Sequence, residues 1–183
     1  DNLAIILKES ERLTRLINNV LDFSRLEQGR KDLHPERLDL CQAVATVLDT
    51  QALRLSQAGM LLTRTLPAGP VWVRTDRDAL EQVLLNLVDN AIKYASEGKE
   101  LEVRLAQATS SVAIEVMDRG PGVPGSERER VFAKFHRLDS SLTARRPGCG
   151  LGLTIARRLM RELGGDVVCR ERPGGAGRRV RAS

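Results

Sequence analysis

Three polar side chains recur at helical spacing in the segment EQVLLNLVDNAIKYA, which covers residues 81–95. Asn86, Asn90 and Lys93 are four and three residues apart, so they form a narrow stripe on one side of a helix. An apolar face runs beside this stripe, and its members are Leu80, Leu84, Leu87, Val88 and Ala91. A buried amide left unpaired costs about 1–3 kcal/mol. The two amides therefore either pair within the core or hold a group that binds between them.

Two glycine-rich segments offer a second kind of chemistry. The first, DRGPGV, places Asp118 at the end of a predicted strand and follows it with Gly120 and Gly122. On its own this is also the pattern of an ordinary turn. The second, GCGLGLTIARRLM, opens a predicted helix with three glycines, Gly148, Gly150 and Gly152. Glycines let a ligand approach the backbone, and the free N–H groups at a helix start suit a phosphate.

These segments do not match two common nucleotide-binding motifs. The third glycine of the second segment comes one residue too early for a Rossmann fingerprint, and a predicted loop precedes it instead of a strand. No lysine follows a glycine loop in the Walker A pattern, which excludes a P-loop NTPase. A phosphate ligand would therefore need a different scaffold.

Composition places the chain among soluble globular proteins, with 42% hydrophobic and 29% charged residues. The net charge of +5 comes mainly from scattered arginines, and only 3% of residues are aromatic, so a nucleic-acid-binding surface is not expected. Three cysteines without CxxC spacing argue against a zinc site or disulfide framework and favour a reducing, cytoplasmic setting. No apolar run approaches the ~18–20 residues of a membrane span.

Hydrophobic periodicity divides the chain into a helical arm, residues 1–29, a polar linker, residues 30–36, and an α+β domain, residues 37–183. The apolar stripe of the arm is wide enough for a helical bundle, so a partner helix, a second chain or the domain itself must cover it. In the domain we expect helices over about 40–58 and 150–163 and an asparagine helix capped by Thr75 or Asp76.

Alternating or β-branched segments predict the strands, which are MLLTRTL, VWVRT, KELEVRLAQ, SSVAIEVMD, DVVCRE and a frayed or truncated RRVRAS. The predicted fold is a two-layer sandwich of about three helices on a mixed, mainly antiparallel sheet, preceded by the long helix. An irregular stretch from 118 to about 147 is long enough to be a functional lid.

The order of these segments resembles the ATP-binding domain of bacterial sensor histidine kinases, whose Bergerat fold is shared with gyrase, Hsp90 and MutL ATPases. The asparagine helix is similar to the N box of that family, and the two glycine segments are similar to its glycine boxes. Between them, VFAKFHRLD looks like the F box. LDFSRLEQG, at the end of the arm, looks like the second helix of the dimerisation and phosphotransfer hairpin. The resemblance covers nearly the whole chain.

The resemblance implies a role for each polar residue of the asparagine helix. Asn86 and Asn90 would help to hold a magnesium ion that bridges the ATP phosphates. Neutral amide oxygens suit this hard cation, which keeps most of its waters and takes phosphate as a ligand. Lys93 would meet phosphate as a point charge, and Tyr94 would lie beside the nucleotide. Asp118 would accept the exocyclic amine of adenine and reject guanine, which presents a carbonyl there.

The glycine segments and the F box complete the implied ATP site. Gly120 and Gly122 would let the backbone pass close to the base. The second glycine segment would hinge the lid and offer N–H groups to phosphates, and its site residues are Gly148, Gly150, Leu151 and Gly152. Lys134 and Arg137 would contact the terminal phosphate or orient the lid, although Lys134 is equally well explained as a solvated charge.

Three further residues carry expectations of their own. Phe132 and Phe135, in the F box, are expected to pack and anchor the loop. Cys149 stands where the family usually has a small residue, and we expect it to be a small-residue substitution, with a redox-sensitive thiol as the alternative.

Asn86 distinguishes the kinases from the hydrolytic ATPases of the same fold. The hydrolytic relatives carry a glutamate there as a general base for water, whereas an amide cannot take a proton. The site is therefore expected to pass the γ-phosphate of ATP to another nucleophile, a histidine in an H box. Neither His34, in the linker, nor His136, in the F box, has that sequence context. We therefore expect the chain to start after the H box of a longer protein.

The resemblance also implies partners. The phosphate would pass on to an aspartate in the receiver domain of a response regulator. The intact protein would be a homodimer through a four-helix bundle and anchored in the inner membrane, whereas this cytoplasmic part alone would be a monomer or a weak dimer. The alternatives are a gyrase-like or chaperone ATPase, disfavoured by Asn86, and a degenerate nucleotide-sensing or scaffolding module, suggested by Cys149. A nucleic-acid binder would rest on charge alone.

Overall fold

The computed structural model describes residues 32–109, 111–138, 150–172 and 177–183, together with scattered positions between 6 and 28. Every described position from 6 to 27 is helical, and this opening helix is named α1. The helices that follow are α2 (Leu40–Gln57), α3 (Arg77–Ala95) and α4 (Gly152–Glu162). The strands are β1 (Glu36–Asp39), β2 (Leu61–Thr65), β3 (Trp72–Thr75), β4 (Glu100–Gln107), β5 (Val112–Asp118), β6 (Val167–Glu171) and β7 (Arg178–Ala182). Single 3-10 turns cover Ser96–Gly98, Gly125–Glu127 and Arg130–Phe132.

Five strands form one mixed sheet in the order β2-β4-β5-β7-β6. The β2–β4 pair is parallel and the other three pairs are antiparallel, which confirms the predicted mixed, mainly antiparallel sheet. Strands β1 and β3 pair with each other in a separate two-stranded sheet. Although β2 and β3 are neighbours in the chain, they therefore belong to different sheets.

The last strand differs from the sequence-based expectation. Instead of fraying, β7 lies inside the sheet, paired with β5 on one side and with β6 on the other. Val180 and Ala182 are buried in the core, whereas Arg179 lies 3.6 Å from the buried carboxylate of Glu115. Arg104 pairs with the same carboxylate at 2.5 Å. A basic strand can occupy the middle of the sheet because these cross-strand ion pairs compensate its charge.

The core lies between the sheet and helices α2, α3 and α4. Every second residue of β4 points into it, namely Leu101, Val103 and Leu105. All five members of the apolar face predicted on the asparagine helix, α3, are buried as well. This helix packs on α4 and on β5, so its polar stripe is held in a defined orientation toward the start of α4.

The C-terminal end of α1 is packed on the domain. Phe23 and Leu26 are buried, and Arg158 of α4 donates a hydrogen bond to the carbonyl oxygen of Leu26 at 2.7 Å. Earlier in α1 the large apolar side chains are about half exposed or more, and they are Ile6, Leu7, Leu13, Ile17, Val20 and Leu21. Among the described positions of α1, the domain thus covers the C-terminal end of the predicted stripe. None of the helices among the described residues has the length and apolarity that crossing a membrane requires.

Candidate functional site

Asp76, one of the two residues predicted to cap the asparagine helix, fixes the start of α3. Its Oδ1 accepts a hydrogen bond from the backbone N–H of Ala79 at 2.8 Å, and its Oδ2 accepts one from the backbone N–H of His34 at 2.7 Å. The first bond satisfies an N–H group that the helix leaves free. The second ties the linker to the helix that carries the asparagines.

Asn86 lies where α3 meets the start of α4. Its Oδ1 is 3.4 Å from the position that a Cβ on Gly152 would occupy, and Gly152 is the first residue of α4. The preceding residue, Leu151, is completely buried and anchors this helix start in the core. The structure therefore brings the first amide of the stripe to backbone N–H groups that suit a phosphate.

Asn90, one turn further along α3, carries an unsatisfied polar atom. Its Nδ2 is buried and has no hydrogen-bond partner among the described residues. Pairing within the described residues therefore leaves this one atom unsatisfied, and a ligand that bonds to it would remove its desolvation cost.

The chemistry of these donors fits magnesium. A side-chain amide can present either its oxygen or its nitrogen when it turns over, and amide oxygens are suitable ligands for this ion. In the described part of the chain, no three His, Cys, Asp or Glu side chains cluster as a metal site. The residues that would hold magnesium here are Asn86 and Asn90, together with the phosphate oxygens of a bound nucleotide.

Lys93 and Tyr94 are both half-buried near the end of α3. The Lys93 Nζ lies 3.9 Å from Oδ2 of Asp89, whose Oδ1 lies 2.7 Å from Arg54 of α2. Asp89 thus connects the stripe to α2, a role that the sequence analysis missed. The available signal was its position four residues before Lys93, where opposite charges pair on a helix.

Asp118 ends β5 in the interior and is 2% exposed. Its Oδ1 accepts a hydrogen bond from the backbone N–H of Gly120 at 2.9 Å. A Cβ on Gly120 would lie 2.8 Å from the Cβ of Ala95, the last residue of α3. The turn after β5 therefore packs on the end of α3, which rises about 13–14 Å between Asn86 and Ala95. Asp118, the predicted base-binding residue, thus lies near the Ala95 end of this stretch, and Asn86 and the start of α4 lie at the other end. Lys93, which was predicted to meet phosphate, lies two residues before Ala95.

Gly150 and Gly152 are the glycines of the second segment that the structure describes, since Gly148 and Cys149 lie outside the described residues. Gly150 is the one of the two with a left-handed backbone conformation. Its φ is +70°. A Cβ there would lie 2.8 Å from the carbonyl carbon of Phe135 and 2.9 Å from the carbonyl oxygen of His136. Both the backbone conformation and the close approach exclude a side chain. The F box and the second glycine segment are thus in backbone contact.

The two phenylalanines of the F box behave differently. Phe132 is buried, and the guanidinium carbon of Arg157 lies 4.6 Å from its ring centroid, as expected for a packing residue. The expectation that Phe135 also packs is wrong, because its side chain is 64% exposed. Its backbone has a φ of +58°, a left-handed conformation at the contact with Gly150.

The charged residues of the F box are partly engaged by the rest of the chain. Lys134 forms an ion pair with Glu27 of α1, and its Nζ lies 4.8 Å from the ring centroid of Phe23. Arg137 is half-buried. In this structure Lys134 is thus held by the arm, and contact of Lys134 or Arg137 with a terminal phosphate stays a prediction.

The chain matches a protein family and several known proteins over most of its length. Residues 75–183 match the family described as Histidine kinase-, DNA gyrase B-, and HSP90-like ATPase. The chain is 35% identical over 175 residues to hybrid signal transduction protein dokA of Dictyostelium discoideum. It is 30% identical over 167 residues to sensor histidine kinase WalK of Bacillus subtilis. These matches cover 91% and 90% of this chain but only 10% and 27% of the two relatives, so the chain spans a small part of their length.

A solved structure shares the fold. The crystal structure of full-length ShkA in complex with AMPPNP aligns with a TM-score of 0.83 at 28% identity, covering 98% of this chain and 37% of that chain. The predicted α+β fold is thereby confirmed. All the described candidate residues from Asn86 to Gly152 lie within the part of the chain that matches the family.

Proposed function

Because this chain belongs to the histidine kinase-, DNA gyrase B- and HSP90-like ATPase family, we propose that it binds ATP with magnesium and passes the γ-phosphate to a histidine on a separate helix. Within the family it is an ATP-binding catalytic domain of the sensor histidine kinase type.

The observation that carries the proposal is the placement of the two amides on α3. Asn86 lies against Gly152 at the head of α4, and Asn90 presents a buried amide atom without a partner among the described residues. Two neutral amides one turn apart on α3, the first of them beside the N-terminus of α4, would offer ligands to a hard cation while the helix start offers N–H groups to the phosphates that it binds. A purely structural role would leave the Asn90 Nδ2 atom unsatisfied among the described residues.

ATP would lie along α3, with its base at Asp118 and its phosphates near Gly150 and Gly152. The buried carboxylate of Asp118 would accept the exocyclic amine of adenine. Guanine would leave two acceptors facing each other, so the site would discriminate between the purines. Lys93 lies two residues before Ala95, nearer the base than Asn86 does, so its long side chain would have to extend along α3 to meet a phosphate.

Transfer to an acceptor other than water follows from the residue type at position 86. An amide cannot take a proton from water, so Asn86 would bind and orient without acting as a general base. Magnesium, when bound with ATP, would neutralise the phosphate charge, and Asn86 and Asn90 would hold it. The chain's own residues then position the γ-phosphate for an incoming imidazole nitrogen.

The acceptor histidine would lie on the first helix of a hairpin whose second helix is α1. His34 and His136 are poor candidates, because His136 Nε2 lies 2.7 Å from a carboxylate oxygen of Glu127 and His34 precedes Pro35 in the linker. The exposed stripe of α1 would pair with that first helix and with a second copy in a four-helix bundle. The whole protein would relay the phosphate to a response regulator aspartate and would be anchored in the inner membrane.

The test is to join the first hairpin helix of WalK to the N-terminus of this chain and to supply ATP labelled at the γ-phosphate. We expect label on the helix histidine in a form that is stable to alkali and labile to acid. The histidine-to-glutamine variant of that helix is the matched control and should take up no label. ATP hydrolysis without any labelled histidine would contradict the proposal and favour a hydrolytic ATPase.

A further inference from the structure

Two glycines outside the motif segments are in close contact with the backbone of the turn that follows Asp118. Gly177, just before β7, has a φ of +132°, and a Cβ there would lie 2.1 Å from the carbonyl oxygen of Asp118. Gly98, just after α3, would place a Cβ 2.2 Å from the carbonyl oxygen of Arg119. Since Cβ atoms do not approach backbone atoms this closely, the turn as it stands requires glycine at both positions.

These contacts restrict the position of the Asp118 carboxylate, because they restrict the backbone of the turn that holds it. The two carbonyl groups that Gly177 and Gly98 contact belong to consecutive residues, and the next residue, Gly120, donates its N–H to the Asp118 carboxylate at 2.9 Å. Gly120 itself is packed on Ala95 of α3. The Asp118 side chain is therefore held by a short segment whose position is limited on three sides.

We propose that Gly177 and Gly98 are positioning residues that set the adenine specificity of the site by fixing Asp118. This inference rests on the proposed function, in which Asp118 accepts the exocyclic amine. A Cβ at residue 177 would lie 2.1 Å from the Asp118 carbonyl oxygen, so this carbonyl would have to move by about 1.3 Å to reach ordinary van der Waals contact. If the carboxylate follows, a displacement of that size takes its hydrogen bond out of the roughly 2.7–3.2 Å range over which it forms, because that range is only about 0.5 Å wide.

The test uses Gly177→Ala with Gly69→Ala as its matched control. Gly69 lies between β2 and β3, and a Cβ there would have no atom within 4 Å. Affinities are measured by calorimetry for ATP and for the purine nucleoside triphosphate that lacks the 6-amino group. We expect Gly177→Ala to lose about tenfold or more in ATP affinity, the worth of one hydrogen bond to a charged group. Its affinity for the analogue should stay unchanged, and Gly69→Ala should match wild type for both.

A second readout follows Asp118 without any nucleotide. The amide proton of Gly120 reports its hydrogen bond to the carboxylate, so its NMR chemical shift should move in Gly177→Ala and stay in place in Gly69→Ala. A structural role of Gly177 confined to the β6–β7 connection would leave that shift unchanged.

The outcomes separate this inference from the proposed function. A folded Gly177→Ala that keeps the wild-type ratio of ATP to analogue affinity, or that loses both affinities equally, overturns the positioning role while the ATP site stands. A wild type that does not prefer ATP over the analogue overturns the adenine-recognition role of Asp118 and this inference with it. If Gly177→Ala does not fold, Gly98→Ala is measured in the same way. If neither folds, both glycines serve the fold alone and the positioning role is refuted.

Discussion

Arg157→Met removes a guanidinium that joins α4 to two other segments of the domain. The Arg157 side chain is 14% exposed and donates to Asp166 at 2.9 and 3.2 Å and to Glu129 at 2.6 Å. It also covers the ring of Phe132. Methionine keeps a flexible apolar chain over the ring, but Asp166 then retains only Arg161 and a backbone N–H as donors among the described residues.

The expected cost is moderate because the carboxylate partner is partly solvated. Hydrogen bonds to charged groups contribute about 1.5–3 kcal/mol each, but Asp166 is 37% exposed and solvent screens the pair. We therefore expect the free energy of unfolding to fall by about 1–2 kcal/mol, which lowers Tm by roughly 2–8 °C in a chain of this size. Arg161→Met is the matched control: it bonds the same carboxylate but is 58% exposed, so its loss should stay below about 0.5 kcal/mol.

The stabilisation that Arg157 provides should depend on pH, and its direction follows from the pKa of Asp166. The hydrogen bond from Arg157 is the main cause that holds the pKa of Asp166 below its ordinary value, with smaller contributions from Arg161 and the backbone N–H of Val167. Because the folded-state pKa is the lower one, the stabilisation is complete above the unfolded-state pKa of about 3.9 and is lost as pH falls toward the folded-state value.

Urea unfolding followed by circular dichroism at pH 7, 5 and 3 measures both effects. The difference between wild type and Arg157→Met should be the same at pH 7 and 5 and smaller at pH 3. Equal losses for the two arginine variants, or a difference that does not shrink at pH 3, would show that the pair of Arg157 and Asp166 does not stabilise the domain.

Three further substitutions test the site. Asp118→Asn should lower ATP affinity about 10- to 100-fold, measured by calorimetry, because an amide accepts the adenine amine less strongly than a carboxylate does. Gly150→Ala should lower Tm more than Gly164→Ala, because both glycines have positive φ but only a Cβ at residue 150 would meet backbone atoms within 3.0 Å. Glu27→Gln removes the ion pair that holds Lys134 on α1, so the freed lysine should raise affinity for ATP severalfold and leave affinity for ADP unchanged in a binding titration.

Each of these predictions has its own contrary result. Asp118→Asn that weakens ATP and its analogue without the 6-amino group equally would remove Asp118 from base recognition. Identical Tm values for the two glycine variants would mean that the contact with the F box costs nothing. The control for Glu27→Gln is Glu36→Gln, which breaks an exposed ion pair with Arg77 elsewhere. An unchanged ratio of ATP to ADP affinity in Glu27→Gln would remove Lys134 from the phosphate site.

The helices were predictable because local patterns determine them. The apolar face of α3 follows from a 3.6-residue period, and all of its predicted members are buried. The cap was equally accessible, because Asp76 stands immediately before the first turn and has the right side chain. The hairpin of β4 and β5 followed from alternation around a short polar turn.

The remaining features depend on residues that are far apart in the chain. The interior position of β7 depends on Glu115, a carboxylate in another strand that compensates Arg179. Lys134 pairs with a residue 107 positions away, and no periodicity in the sequence indicates that contact. Gly98 and Gly177 have the same difficulty, because their requirement for glycine comes from the backbone of a turn that neither of them belongs to.

Magnesium-dependent ATP binding is measured by calorimetric titration of wild type and Asn90→Ala with ATP, ADP and GTP, each with and without magnesium. We expect wild type to bind ATP in preference to GTP and to bind it more tightly with magnesium. Asn90→Ala should lose the magnesium-dependent part of the affinity, because the Asn90 amide, whose Nδ2 has no partner among the described residues, can turn its oxygen toward the cation. Well-folded wild type that binds none of the nucleotides, or an Asn90→Ala variant with an undiminished response to magnesium, would show that this chain does not bind ATP and magnesium in this way.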